Sequence, residues 1–203
     1  MLRIFSLIAA LAGFVAPAQA ALPTYGFAST AVGVVSPSSA GTATDFSGSG
    51  SVDASKWTTQ NLNNSNPSRL NSFSFTAAGS GPGVSVADLD LRARSANATS
   101  PNIAQFEVFY NVGITSTGVS GTSLGVKDLA STFADFNYDF GVNLLAGETI
   151  HFTILSSRNG SYTGSAFYDT ITLGGAPIPE PTSMAVFGLL SAGIAARRIR
   201  RKA

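Results

Sequence analysis

One histidine, eleven carboxylate side chains and no cysteine set the chemistry open to this 203-residue chain. His151 cannot build a histidine-based triad or a multi-histidine metal site within one chain. Lying between Ile150 and Phe152, it reads as a solvent-facing strand residue. Without cysteine there is no thiolate nucleophile, no thiolate metal site and no disulfide framework. Asp88 and Asp90 share a face two residues apart, the raw material of a glycosidase pair. Arg92 and Arg94 follow on that face, so a solvated, charge-balanced strand explains the carboxylates better. Asp135-Phe-Asn137-Tyr-Asp139 begins like a calcium loop, but Phe140 stands where the glycine belongs and Ala146 where the bidentate glutamate belongs. That excludes an EF-hand. The calcium chemistry left open is a site of carboxylates converging from neighbouring strands, Asp88 and Asp169 first, with Asp90 or Asp45 beside them. No other cofactor is expected. The serines lack a G-x-S-x-G elbow, and the run Gly79-Ser-Gly81-Pro-Gly83 has no lysine and opens no helix, so it is no phosphate cradle. The reading is a noncatalytic protein, with a hydrolase as the weakest alternative.

Binding chemistry is carried by aromatic side chains, because sugars stack on exposed rings. Most of the 14 phenylalanines alternate along strands and belong to a core. Trp57, Tyr25, Tyr110, Tyr162 and Tyr168 remain as candidates for a glycan platform. Trp57, beside Lys56 and an Asn-rich loop, and Tyr162 are the residues singled out, with a core or rim place for Trp57 as the competing reading.

The elements that would position these residues are strands. Charged residues make up only 11% of the chain, and Gly, Ser, Thr and Asn fill the gap, a mixture suited to short strands and many turns. Period-two alternation recurs at Phe73 and Phe75, through Val84 to Arg94, from Gln105 to Val112, from Phe136 to Val142, and from Ile150 to Ile154. A last run sets Phe167, Asp169, Ile171 and Leu173 on one side. Earlier strands are expected near Tyr25 to Val35 and Ala43 to Val52, followed by a long loop from Asn61 to Pro67. The pattern predicts an all-β, antiparallel sandwich or jelly roll over residues 21–175.

The two ends read differently. Residues 1–20 have the form of a secretory signal peptide, with Arg3, an apolar run from Ile4 to Val15, and Ala18-Gln19-Ala20 as the cleavage signal. Residues 176–203 contain Pro179-Glu180-Pro181, then the uncharged stretch from Thr182 to Ala196, then Arg197, Arg198, Ile199, Arg200, Arg201 and Lys202. The stretch is short of the roughly 20 residues of a full span, though flanking apolar and snorkelling basic residues make up part of the difference. The basic cluster would stay in the cytoplasm, leaving the body outside. The charge divides the same way. From Ala21 to Pro181 there are six basic and eleven acidic residues, a net of −5, against +1 for the whole chain. The basic end is therefore a membrane stop, and no nucleic-acid partner is expected. Two prolines keep the residues around Glu180 extended, as a protease requires, and Glu180 resists entering lipid.

Pro-Glu-Pro, a short apolar helix with small residues at Gly188, Ser191, Ala192 and Gly193, and a terminal arginine cluster together resemble the PEP-CTERM sorting signal of Gram-negative bacteria. That resemblance implies an exosortase as partner, transient anchoring in the inner membrane, cleavage near Pro179-Glu180-Pro181, and a cell-surface or extracellular destination associated with exopolysaccharide and biofilm matrix. The succession of strands ending in Phe167 to Leu173 also resembles the carbohydrate-binding-type jelly rolls that precede such tails. It implies a lectin-like module as the alternative to a plain matrix protein.

Overall fold

A computed structural model describes residues 22–178, apart from 29–30, 37–39, 54–55, 60–61, 63–64, 66–67, 96–103, 114–118, 120 and 159–163. The signal-peptide residues Ala18 and Ala20 and the tail from Pro179 onward lie outside the described residues. Among the described residues every regular element is a strand: β1 (Thr24–Ala28), β2 (Ala31–Ser36), β3 (Gly41–Ala43), β4 (Ser47–Gly48), β5 (Gly50–Asp53), β6 (Lys56–Thr59), β7 (Ser68–Ala77), β8 (Val84–Ser95), β9 (Ala104–Val112), β10 (Thr122–Asp128), β11 (Ala134–Leu144), β12 (Thr149–Arg158) and β13 (Ala166–Pro177).

They form two antiparallel sheets. The first runs β11-β8-β13-β1-β2, with the β5–β6 hairpin joined to β13 through β6. The second runs β10-β9-β12-β7-β3, with β4 also on β7. The inner faces carry the alternating apolar residues: Leu89, Leu91, Tyr168, Ile171 and Leu173 from the first sheet, and Phe73, Phe75, Phe106, Ile150, Phe152 and Ile154 from the second. Between the sheets the aromatic rings form a connected layer. Phe73 stacks on Phe152 with centroids 4.9 Å apart, Phe46 meets Trp57 edge-on at 5.0 Å, and Phe106 meets Phe136 edge-on at 5.0 Å and Tyr168 at 6.1 Å. Such offset and edge-on geometries match the ring quadrupoles as well as burying area.

The expected strands are present, with three instructive differences. The segment near Tyr25 to Val35 is a hairpin of two strands, and that from Ala43 to Val52 is divided among β3, β4 and β5. The last run does not keep a single parity. A bulge between Tyr168 and Thr170 turns Tyr168 inward to full burial and leaves Phe167 and Asp169 on the outer face, so Phe167 and Asp169 do not share the side of Ile171. A second bulge, at Ala87 and Asp88, does the same in β8, where Val86 and Leu89 both point inward. Finally, β13 continues past the expected end of the body at Gly175, pairing Pro177 with Val84.

The buried hydroxyl of Tyr168 needs a partner and has one in Ser156 Oγ at 2.7 Å across the sandwich. Burial pushes the Tyr168 phenol well above its ordinary range, the Ser156 hydrogen bond pulling weakly the other way. Replacing Tyr168→Phe strands the Ser156 hydroxyl in the core and should cost about 1–3 kcal/mol in urea unfolding. The double change Tyr168→Phe with Ser156→Ala should recover part of that loss, because no buried polar atom is then left alone.

Candidate functional site

The outer faces of the two sheets differ in kind, and the register shows how. On the second sheet, Ser72 of β7 stands opposite Thr153 of β12, which stands opposite Phe109 of β9. One pleat on, Ser74 stands opposite His151, and His151 opposite Asn111. The chain between β3 and β4 closes one side of these rows. Thr44 Oγ1 accepts the Ser74 N–H at 2.8 Å and lies 3.1 Å from Ser74 Oγ. Together Thr44, Asp45, Ser47, Ser72, Ser74, His151 and Thr153 line a depression of about 240 Å³. The rings of Phe73 and Phe152 stack beneath it. Those two rings also line it, and the rest of its surface is made of hydroxyls, an imidazole and one carboxylate. These groups can donate and accept hydrogen bonds in the same plane, as a polyhydroxyl ligand requires.

His151 is half-buried on this outer face, so its expected solvent-facing position on a strand holds. The alternation of Ser72 and Ser74 with the phenylalanines is legible in the sequence. Their meeting with Thr44 and His151 is not, since it depends on which strands pair.

The outer face of the first sheet is ionic. Arg92 approaches Asp135 at 3.8 Å and Asp169 at 3.6 Å. Arg94 lies over both Phe167, at 4.5 Å, and Phe133, at 5.1 Å, with Lys56 also over Phe167 at 5.4 Å. Asn137 Nδ2 donates to Asp90 Oδ1 at 2.7 Å. Asp88 faces Asp139 directly across β8 and β11, two like charges in register. Burial, and then the charges of Asp90 and Asp139, raise the Asp88 carboxyl above its ordinary value, against a hydrogen bond from the Gly174 backbone. The carboxylate lies so close over Gly174 that a side chain there would collide with it.

Of the residues named from the sequence, Trp57 is only 4% exposed and donates its indole N–H to Asn71 Oδ1 at 3.0 Å. Its ring is core and offers no stacking surface to a sugar. Tyr162 lies outside the described residues, as does the side chain of Tyr25. Tyr110 packs on Phe140 at 5.1 Å, and Tyr168 is fully buried. The aromatic residue that alternation leaves on the outer face near the depression is Phe109, which the sequence reading did not single out. Asp88 and Asp169 do not converge. Gly174 is the residue of β13 opposite Asp88, five positions beyond Asp169, or about 16 Å at strand spacing, and Asp169 is turned to Arg92. Among the described residues there is no group of three or more His, Asp or Glu side chains able to hold a metal ion.

The strand that carries Asp169 also carries the tail. Pro177 pairs with Val84, and Ile178 N–H donates to the Gly83 carbonyl at 3.2 Å, so the sandwich holds the chain up to the residue before Pro179. Residues 177–201 match the PEP-CTERM protein-sorting motif. The match takes in Pro179, Glu180 and Pro181 and the arginines at 197, 198, 200 and 201, with Lys202 just beyond it. A PEP-CTERM tail marks an exported protein that is anchored in the membrane before exosortase cleavage and reaches the cell surface afterwards. Among the described residues no helix is long and apolar enough to cross a membrane.

No curated protein matches the chain. Among solved structures the chain is similar to TmCBM61 in complex with β-1,4-galactotriose, at 10% identity and a TM-score of 0.38 over 64% of this chain and 86% of that one. It is similar to Xyl-CBM35 in complex with a glucuronic acid-containing disaccharide, at 17% identity and a TM-score of 0.39 over 70% and 94%. It is also similar to the family 11 carbohydrate-binding module from Clostridium thermocellum in complex with a mixed-linked tetrasaccharide, at 13% identity and a TM-score of 0.34 over 78% and 99%.

The Asp88–Asp139 pair yields a test of the ionic face. Because the folded state raises the Asp88 carboxyl, it holds that proton more tightly than the unfolded chain, and stability falls as pH rises through the carboxylate range. Asp139→Asn should therefore stabilise the protein by about 0.2–1 kcal/mol at pH 7 and by nothing at pH 3, in urea melts at the two pH values.

Proposed function

We propose that this chain is a noncatalytic surface or matrix protein, delivered through the exosortase route, whose second sheet holds exopolysaccharide on its outer face. The observation that carries the delivery half is the PEP-CTERM match at residues 177–201, following directly on the last strand of the body. Cleavage near Pro179-Glu180-Pro181 would release the body to the surface or biofilm matrix with β13 whole.

The observation that favours the binding half is the depression lined by Thr44, Ser72, Ser74, His151 and Thr153, with Phe109 in the next strand. Ser72 and Thr153 set hydroxyl groups side by side on neighbouring strands, at the 4.7–4.9 Å strand spacing. A lining that is neutral except for the Asp45 carboxylate favours a neutral glycan. The carboxylates are better explained as ion-pair and hydrogen-bond partners than as an acid–base pair. Arg92 engages Asp135 and Asp169, and Asn137 engages Asp90. No cofactor enters this reading.

Two measurements test it. The mature protein taken from the native host should lack the basic end, and a Glu180→Ala variant should retain it, by intact mass. A wild-type mass that still includes Arg197 to Ala203 would leave a permanently anchored surface protein. In affinity electrophoresis through the host's own exopolysaccharide, the wild type should be retarded, and His151→Ala combined with Phe109→Ala should lose most of that retardation. Equal retardation of the two, with loss instead on Arg92→Ala, would move the binding face to the first sheet.

A further inference from the structure

Both ends of the body leave the sandwich at one place. The carbonyl of Pro23 accepts the Leu173 N–H at 3.2 Å, and Leu22 packs beside Gly175, so the chain enters next to where β13 departs. At the same end lie the loop from Ala78 to Gly83 and the turn from Leu145 to Glu148. Gly83 binds both. Its carbonyl accepts from Ile178, and its positive φ of 96° and close approach to the Leu144 carbonyl leave no room for a side chain. Ser95 and Ala130, joined by a backbone hydrogen bond of 2.7 Å, mark the opposite end.

We propose that this end of the sandwich, the 78–83 loop and the 145–148 turn, rests on the lipid headgroups while the precursor is anchored. The proposal depends on residues 182–202 being the anchor of the sorting tail. Only Pro179, Glu180 and Pro181 separate Ile178 from Thr182, the first residue of the uncharged stretch. Four peptide steps reach at most about 14 Å. The headgroup layer takes up about 5–8 Å of that. The body is therefore held against the membrane, and the remaining question is which surface it presents.

Charge and polarity choose the end. The outer face of the first sheet carries Asp88, Asp90, Asp135, Asp139 and Asp169 against Arg92, Arg94 and Lys56, and its excess of two carboxylates disfavours an anionic leaflet. The 78–83 loop is Ala-Gly-Ser-Gly-Pro-Gly, with no charge and no bulky side chain to hold the backbone away from headgroups. In the neighbouring turn Leu145 is 63% exposed, the largest exposure among the exposed large hydrophobic residues described. The turn's one charge is used internally, Glu148 Oε2 accepting the Leu145 N–H at 2.8 Å. A rim whose single carboxylate is tied to its own backbone, with one projecting leucine, suits a phospholipid interface.

The chain has no cysteine, so single labels are clean. Ser80→Cys, Ala146→Cys and Ala130→Cys variants of the full chain would be labelled with a fluorophore and reconstituted in phosphatidylethanolamine–phosphatidylglycerol vesicles carrying a headgroup quencher. Flotation of the vesicles reports anchoring independently. Quenching at positions 80 and 146 should exceed that at 130 several-fold. A 20-residue Gly/Ser insertion between Ile178 and Pro179, or Leu145→Asp in a variant whose urea midpoint is unchanged, should shrink the difference. Floating vesicles with equal quenching at all three positions would overturn the membrane-facing end alone. Quenching that appears only when an exosortase is co-reconstituted would also overturn it, assigning the surface to a protein partner. A chain that does not float overturns the anchor on which the proposal stands.

Discussion

The ladder between β8 and β13 is the constraint from which most of the molecule follows. It pairs Ala166 with Ser95 at one end and Pro177 with Val84 at the other, the full length of both strands. On its far edge β13 receives β1 and β6, and β8 receives β11, so the first sheet is built outward from these two strands. Two bulges interrupt the ladder, and each reverses the side to which the following residues point. Without the one at Asp169, Tyr168 and Ile171 could not both face the core, and Ser156 would have no Tyr168 hydroxyl to bond across the sandwich. Without the one at Ala87, Val86 and Leu89 could not both be buried.

The same ladder explains the division of labour between the outer faces. Its outward residues are charged, and cross-strand neighbours complement them: Asp135 beside Arg92, Asn137 beside Asp90, Phe167 under Arg94. Asp88 against Asp139 is the exception and is the place where the face works against stability. The second sheet has no such ladder of charge. Its outward residues are small and hydroxylic through Ser72, Ser74 and Thr153, with Thr44 bonded to Ser74 at the margin. The first face is thus dominated by ion pairs and the second, around the depression, by hydroxyl groups, His151 and Asp45.

Alternation made the long strands legible. Phe73 with Phe75, Leu89 with Leu91, and Ile150 with Phe152 each declare a buried face. The misses have physical causes. β10 has the sequence Thr-Ser-Leu-Gly-Val-Lys-Asp and lies at a sheet edge, where little burial enforces a period, so no pattern announces it. β6 is four residues long and is a strand because β5 and β13 hold it. The parity of Phe167 and Asp169 was misread because a bulge leaves no mark in composition. Trp57 shows the limit for sites. Its neighbours Lys56 and the Asn-rich segment make it the best candidate for a platform, but it takes the core place that the competing reading gives it, packed on Phe46 and bonded to the buried Asn71. The sorting motif was legible because it is matched by the order of residue types along the sequence, whatever the strands pair with.

That contrast bears on how the two parts are coupled. β13 is last in the chain yet sits between β8 on one side and β1 and β6 on the other, so the middle of the first sheet is empty until it arrives. The motif begins at residue 177, the final residue of that strand. The contacts that close the fold are therefore long-range ones, joining Tyr25 to Ile171 and Trp57 to Tyr168, and none can form until the chain has emerged almost to Pro179. Completion of the sandwich and presentation of the sorting signal occur within a few residues of each other. A body lacking β13 would leave β8, β1 and β6 without their partner strand, whereas the completed body holds the chain through Ile178 and leaves Pro179-Glu180-Pro181 as the first residues beyond its hydrogen-bonded edge.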